Sequence, residues 1–157
     1  MNREILLIAE QVKDVYNGEP WFGRSVHDIL KETDEGIVFE KPATQHSILE
    51  LLWHMITWKE FTISRLRDND DKLLSYFESN DWRILDHADK KLWQVGLERF
   101  AELHNELVEL LQQQKDEILS KQVSGRNYNF RKLLYGIKEH DIYHLGQIAY
   151  IKKLFQR

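Results

Sequence analysis

The sequence predicts an all-α fold, an antiparallel up-and-down four-helix bundle with a short extra helical segment after the first helix. Three observations carry this. Only two prolines and seven glycines occur in 157 residues, in a chain rich in Leu, Glu, Lys and Gln, so helix breakers are sparse. Long stretches repeat apolar residues at steps of three and four. No segment alternates apolar with polar as a half-buried strand would, and no internal repeat or low-complexity stretch interrupts the pattern.

The first helix reads from residue 2 to 16 and is ended by Asn17 and Gly18. After "GEPWFG" a short helical segment runs from about Ser25 to Thr33, and "DEGIVFEKPATQ" forms an irregular crossing. Ser47 and Glu50 make a capping box, which starts a long helix that continues to about Arg67. The polar "DNDDK" leads into the short apolar "LLSYF", and a second polar loop carries Asp81, Asp86 and His87. A third long helix spans about Asp89 to Ser120, with Trp93, Leu97, Phe100, Leu107 and Leu111 near one side. "SGRNYN" breaks it, and Asn127 or Asn129 caps the last helix, which extends to about Leu154.

Length suits a single domain over residues 1–157, large enough to bury roughly two thirds of its unfolded surface. With no cysteine, disulfides, iron–sulfur clusters and thiolate zinc sites are excluded, and histidine and carboxylate are the strong metal ligands that remain. The net charge of -4 comes from interspersed acids and bases, so no basic footprint for nucleic acid exists. No run approaches the ~20 apolar residues of a membrane span, and "MNREILLIAEQVKD" is too short-cored for a signal peptide. A cytoplasmic protein acting on a small molecule, without nucleic acid or membrane, is the expectation.

The last helix holds the chemistry. Leu133, Ile137, His140, His144, Gln147, Ile151 and Leu154 are spaced by threes and fours and therefore share one inward face. A buried imidazole without a partner costs about 1–3 kcal/mol, where Leu would contribute roughly 1.5–3 kcal/mol. Two such positions one turn apart point both rings at one spot, as two ligands of one metal require. The competing reading is a hydrogen-bonded cluster of core histidines. Of the remaining histidines, His54 lies beside or within the apolar face of the capped helix, and His104, four after Phe100, is the reserve. His46 precedes the cap, and His27 and His87 read as solvated.

Other metal chemistries fail on spacing. No Glu lies three residues before any histidine, so the di-iron Glu-x-x-His pattern is missing. "HDIYH" places an Asp where a zincin has its general-base Glu.

"HSILELLWHMITWKEF", followed about 85 residues later by "KEHDIYHLGQIAYIKKL", resembles the DinB/YfiT superfamily of metal-binding four-helix proteins, which includes bacillithiol and mycothiol S-transferases. The His-x-x-x-His-x-Gly-Gln-Ile element is present as His140, His144, Gly146, Gln147 and Ile148. The resemblance implies a metal on His54, His140 and His144.

Three imidazoles leave open positions on a divalent ion, and zinc, nickel and manganese all suit such a set. The leading expectation is an enzyme in which a low-molecular-weight thiol, such as bacillithiol, has its pKa lowered by the ion and attacks an electrophilic small molecule. A metal-dependent hydrolase using bound water and a non-enzymatic metal- or ligand-binding protein are the alternatives. Glu50, Asp141 and Gln147 are candidates to orient the histidines from behind, Glu50 equally as a capping residue alone. Trp53, Trp58, Phe61 and Tyr143 are candidate pocket walls. Trp21 and Phe22 mark a cleft edge or an interface, and a homodimer fits so many aromatics.

Overall fold

The computed structural model describes residues 2–67 and 73–156. Among them it contains six α-helices and one 3-10 turn: α1 (Arg3–Asn17), α2 (Val26–Lys31), α3 (Ile48–Leu66), α4 (Leu74–Ser79), α5 (Lys91–Gln113), the turn Asp116–Ser120, and α6 (Phe130–Phe155). The all-α bundle is as the sequence predicts. The "DNDDK" loop assigned to residues 68–72 lies outside the described residues.

Local chemistry sets most of the helix starts. Ser47 Oγ accepts from the Glu50 amide (3.2 Å) while Glu50 Oε2 accepts from the Ser47 amide (2.8 Å), completing the expected box at α3. Asn129, rather than Asn127, caps α6 by accepting from the Lys132 amide at 3.1 Å. Ser25 caps α2 in the same way.

α5 departs from expectation. It ends at Gln113 instead of continuing to Ser120, and Gln114 and Lys115 are extended. The cause is tertiary: the Asp116 carboxylate accepts from the amides of Arg3 (2.9 Å), Glu4 (3.3 Å) and Ile5 (2.9 Å), serving as the N-terminal cap that α1 lacks in its own sequence. Leu119 in the turn beyond is fully buried. Continuing α5 would forfeit both.

α1 and α3 each lie against both α5 and α6, so the neighbouring pairs around the core are α3–α5, α5–α1, α1–α6 and α6–α3. The core joins Ile5, Ile8 and Val12 of α1 with Leu52, Met55 and Ile56 of α3, Trp93, Phe100 and Leu107 of α5, and Leu134 and Ile148 of α6. α3 and α5 approach closely at Gly96, where an added Cβ would come within 2.9 Å of Leu52 and 3.1 Å of the Trp53 indole nitrogen. Trp53 is thereby a packing residue, its Nε1 donating to the Leu92 carbonyl at 3.2 Å. Among the described residues no helix is long and apolar enough to cross a membrane.

Candidate metal centre

α3 and α6 bring three histidines together. His54 sits two turns into α3, and His140 and His144 sit one turn apart on the facing side of α6. One ring nitrogen from each lies within 4.8 Å of the others, a grouping that could hold a metal ion. Nε2 of His140 is the hub, 3.0 Å from Nε2 of His54 and 3.1 Å from Nε2 of His144. Two nitrogens bound about 2.0–2.1 Å from one divalent ion at tetrahedral or right angles would be roughly 2.9–3.4 Å apart. The two spacings to His140 fall in that range.

The outer nitrogens fix the protonation. His54 Nδ1 lies 2.8 Å from the Asp81 carbonyl, which can only accept, so that nitrogen carries the proton. The Asp81 carboxylate adds a second contact at 3.1 Å. His144 Nδ1 donates to the Gln147 side-chain oxygen at 2.5 Å. Both Nε2 atoms facing the centre are consequently bare lone pairs. His140 has one proton in its neutral form and can satisfy at most one of them, and its buried Nδ1 has no hydrogen-bond partner among the described residues. Whichever tautomer His140 takes, at least two buried acceptors stay unpaired, which a cation between the three rings would relieve.

Burial keeps the rings neutral. Desolvation, then the neighbouring His144 and His54, push His140 down to about 3. His54 and His144 are also lowered, chiefly by desolvation, against the opposing pull of Asp81 and Gln147 respectively. Neutral imidazole is the form that binds metal.

The other sequence candidates separate. Gln147 bonds His144, but from an exposed position at the rim and not from the inward face. Glu50 does not touch His54: its carboxylate is held by the Ser47 amide and by Lys41 (2.7 Å), which makes it a capping residue. Asp141 touches none of the three histidines; it is buried against Lys59, 2.6 Å away. Burial raises the Asp141 carboxyl, with the Lys59 ammonium pulling the other way. His104 is not in reserve for the site, being stacked on Tyr16 at 3.9 Å in the core. Leu154, expected on the inward face, is 52% exposed.

Two neighbours of the histidine cluster escaped the sequence reading. Asp81 holds His54 from behind and also accepts from Trp58 Nε1 at 2.6 Å. Trp82 lies between two imidazoles, parallel to His46 at 3.5 Å and to His54 at 4.0 Å. The signal available was that Glu50, the carboxylate one turn before His54, was already committed to the cap, so a partner for His54 had to come from another segment.

A family model described as the DinB superfamily matches residues 24–148, a span that contains all three histidines. No curated protein and no solved structure matches the chain. The chain belongs to the DinB superfamily.

Proposed function

We propose that this DinB-superfamily chain is a metal-dependent enzyme in which His54, His140 and His144 hold a divalent ion through Nε2, and that it joins a low-molecular-weight thiol to an electrophilic small molecule. The observation that carries the metal reading is the convergence of three Nε2 atoms, two of them stripped of protons by Asp81 and Gln147. A divalent ion so held supplies Lewis acidity, lowering the pKa of a thiol placed at its open position. The protein's own part is orientation: Asp81 fixes the tautomer of His54, Gln147 that of His144, and Trp82 the plane of the His54 ring.

The cleft beside His140 supports a small-molecule substrate. It has a volume of about 450 Å³ and is walled by Trp58, Phe61 and Tyr128. Of the aromatics proposed as pocket walls, Trp58 and Phe61 line it, whereas Tyr143 stands 66% exposed over His144 on another face.

The test is metal content by mass spectrometry, on wild type and on His140→Ala, after incubation with zinc, nickel and manganese in turn. About one ion per chain, lost in the variant, is the expected result, followed by metal-dependent consumption of a thiol in the presence of an electrophile. A wild type that stays metal-free with all three ions would overturn the reading. Metal-dependent hydrolysis of an ester without thiol consumption would replace transfer by hydrolysis.

A further inference from the structure

The cleft at His140 contains a cation that the proposed chemistry has not used. Arg126 projects from the "SGRNYN" connection before α6, in a segment that is pinned at several points. Its amide donates to the Val123 carbonyl (3.0 Å), the Val123 amide to the Tyr128 carbonyl (2.9 Å), and the Phe130 amide to the Lys121 carbonyl (3.0 Å). Gln122 Nε2 donates to the Arg126 carbonyl at 2.8 Å. Gly125, at φ +75, supplies the left-handed residue that the turn requires. Arg65 from α3 adds a bond to the Ser124 carbonyl at 3.1 Å.

On this rigid turn the guanidinium faces three rings, with its carbon 5.5 Å from the Trp58 centroid, 5.6 Å from Phe61 and 5.9 Å from Tyr128. Its Nε is buried and has no hydrogen-bond partner among the described residues. The ion pair it makes, to Glu78, is long at 3.8 Å and lies on the Nη1 side, with the Glu78 side chain 56% exposed. An exposed pair of that length contributes little. An orphaned guanidinium N–H on the wall of an apolar cleft is a donor awaiting an acceptor. Lys132 adds a second positive charge to the same lining and Glu139 one negative charge.

We infer that this cleft binds the electrophilic substrate of the proposed reaction and that Arg126 recognises a carboxylate on it, the substrate's apolar, ring-sized body packing between Trp58, Phe61 and Ile137. The inference rests on the metal-enzyme reading for what happens to the substrate, but not for its binding. A planar carboxylate matches the guanidinium fork, and the aromatic walls reduce the water that competes for it. His140, which lines the cleft, joins it to the three-histidine centre. Arg126 is accordingly a binding residue that selects for charge.

The experiment measures binding of 3-phenylpropionate and its neutral isostere 3-phenylpropionamide to the full chain, by calorimetry and by the shift of the Trp58 indole N–H signal, assigned with Trp58→Phe. Wild type is expected to bind the acid about tenfold or more tightly than the amide, as a hydrogen-bonded charge requires, and to shift Trp58. Arg126→Gln is expected to bring acid and amide within about twofold of each other, with the metal content of wild type. Equal binding of acid and amide by wild type, an unmoved Trp58 signal, or an undiminished preference in Arg126→Gln would each overturn the inference. The wild-type comparison decides even if the variant does not fold. Metal content, measured on the same samples, keeps the two readings apart: acid preference in a protein that takes up no metal defeats the metal centre alone, and metal uptake without acid preference defeats the anion site alone.

Discussion

Replacing both α6 histidines by leucine, His140→Leu with His144→Leu, should make the metal-free protein more stable. Take the most favourable protonation of the present cluster, with His140 donating from Nε2 to one neighbour. Two buried lone pairs then remain unpaired, one on the other neighbour and one on His140 Nδ1. The double variant leaves one, on His54, which relieves about 1–3 kcal/mol. His144 is only 5% exposed, so Leu there adds burial of roughly 1–2 kcal/mol beyond what the imidazole carbons already contribute. Against this stand two lost neutral hydrogen bonds, within the cluster and to Gln147, each worth about 0.5–1.5 kcal/mol. At the midpoints of these ranges the balance is a gain of about 1.5 kcal/mol, or roughly 3–6 °C in Tm for a chain of this size. The assay is thermal unfolding in EDTA and then with zinc. In zinc the order should reverse or close, because wild type gains about 2.7 kcal/mol at a hundredfold excess over Kd and the variant gains nothing. A double variant that melts well below wild type in EDTA would refute the reasoning, since the histidines would then be a net stabilising core network rather than a preassembled ligand set kept at a cost.

The pH dependence of metal-free stability has a definite sign. His140 and His104 are both held at about 3 against an ordinary 6.5, so between these values the unfolded chain binds more protons and stability falls as pH drops below 6.5, by up to about 1.4 kcal/mol per unit for each; urea midpoints in EDTA that stay flat from pH 6.5 to 5 would contradict it. Asp81→Ala should weaken zinc binding about tenfold rather than abolish it, because the Asp81 backbone carbonyl still fixes His54; a competition titration with a zinc chelator reads this out. Lys59→Met should cost about 3–5 kcal/mol by stranding the fully buried Asp141, whereas Lys59→Met combined with Asp141→Leu should come within about 1–2 kcal/mol of wild type; denaturant unfolding of the set separates the two outcomes.

What could be read from the sequence was what depends on neighbours in the chain. The α3 capping box, the Asn129 cap and the His140–His144 pair all follow from spacings of three and four, and each is where the periodicity puts it. What could not be read depends on segments meeting in space. Nothing local to "QQQKDEILS" tells that Asp116 is wanted at the start of α1, yet that need ends α5. Asp141 stands next to His140 in sequence, but a helix turns 100° per residue, so it faces Lys59 in the core instead. Lys59 itself, on the apolar face of α3 and 1% exposed, was the sign that a buried carboxylate had to exist elsewhere.

The segment from Asn80 to Arg83 explains why His54 can serve as the lone contribution of its helix. Thr57 Oγ1 lies 3.0 Å from the Asn80 carbonyl and accepts from Arg83 Nε at 2.9 Å. Arg83 also reaches Glu60 at 2.9 Å, and Trp58 reaches back to Asp81. All of these anchors are on α3, the helix that carries His54. The segment is therefore anchored on α3, and within it Asp81 sets the proton on His54 while Trp82 covers one face of the ring. His144 is oriented by Gln147 of its own helix. Each helix thus brings one histidine already oriented, and His140, with no partner on Nδ1 among the described residues, is the ring left free to settle between them. The α3–α6 contact has only to bring two finished halves together, and the open side of that junction is the cleft that Arg126 overlooks.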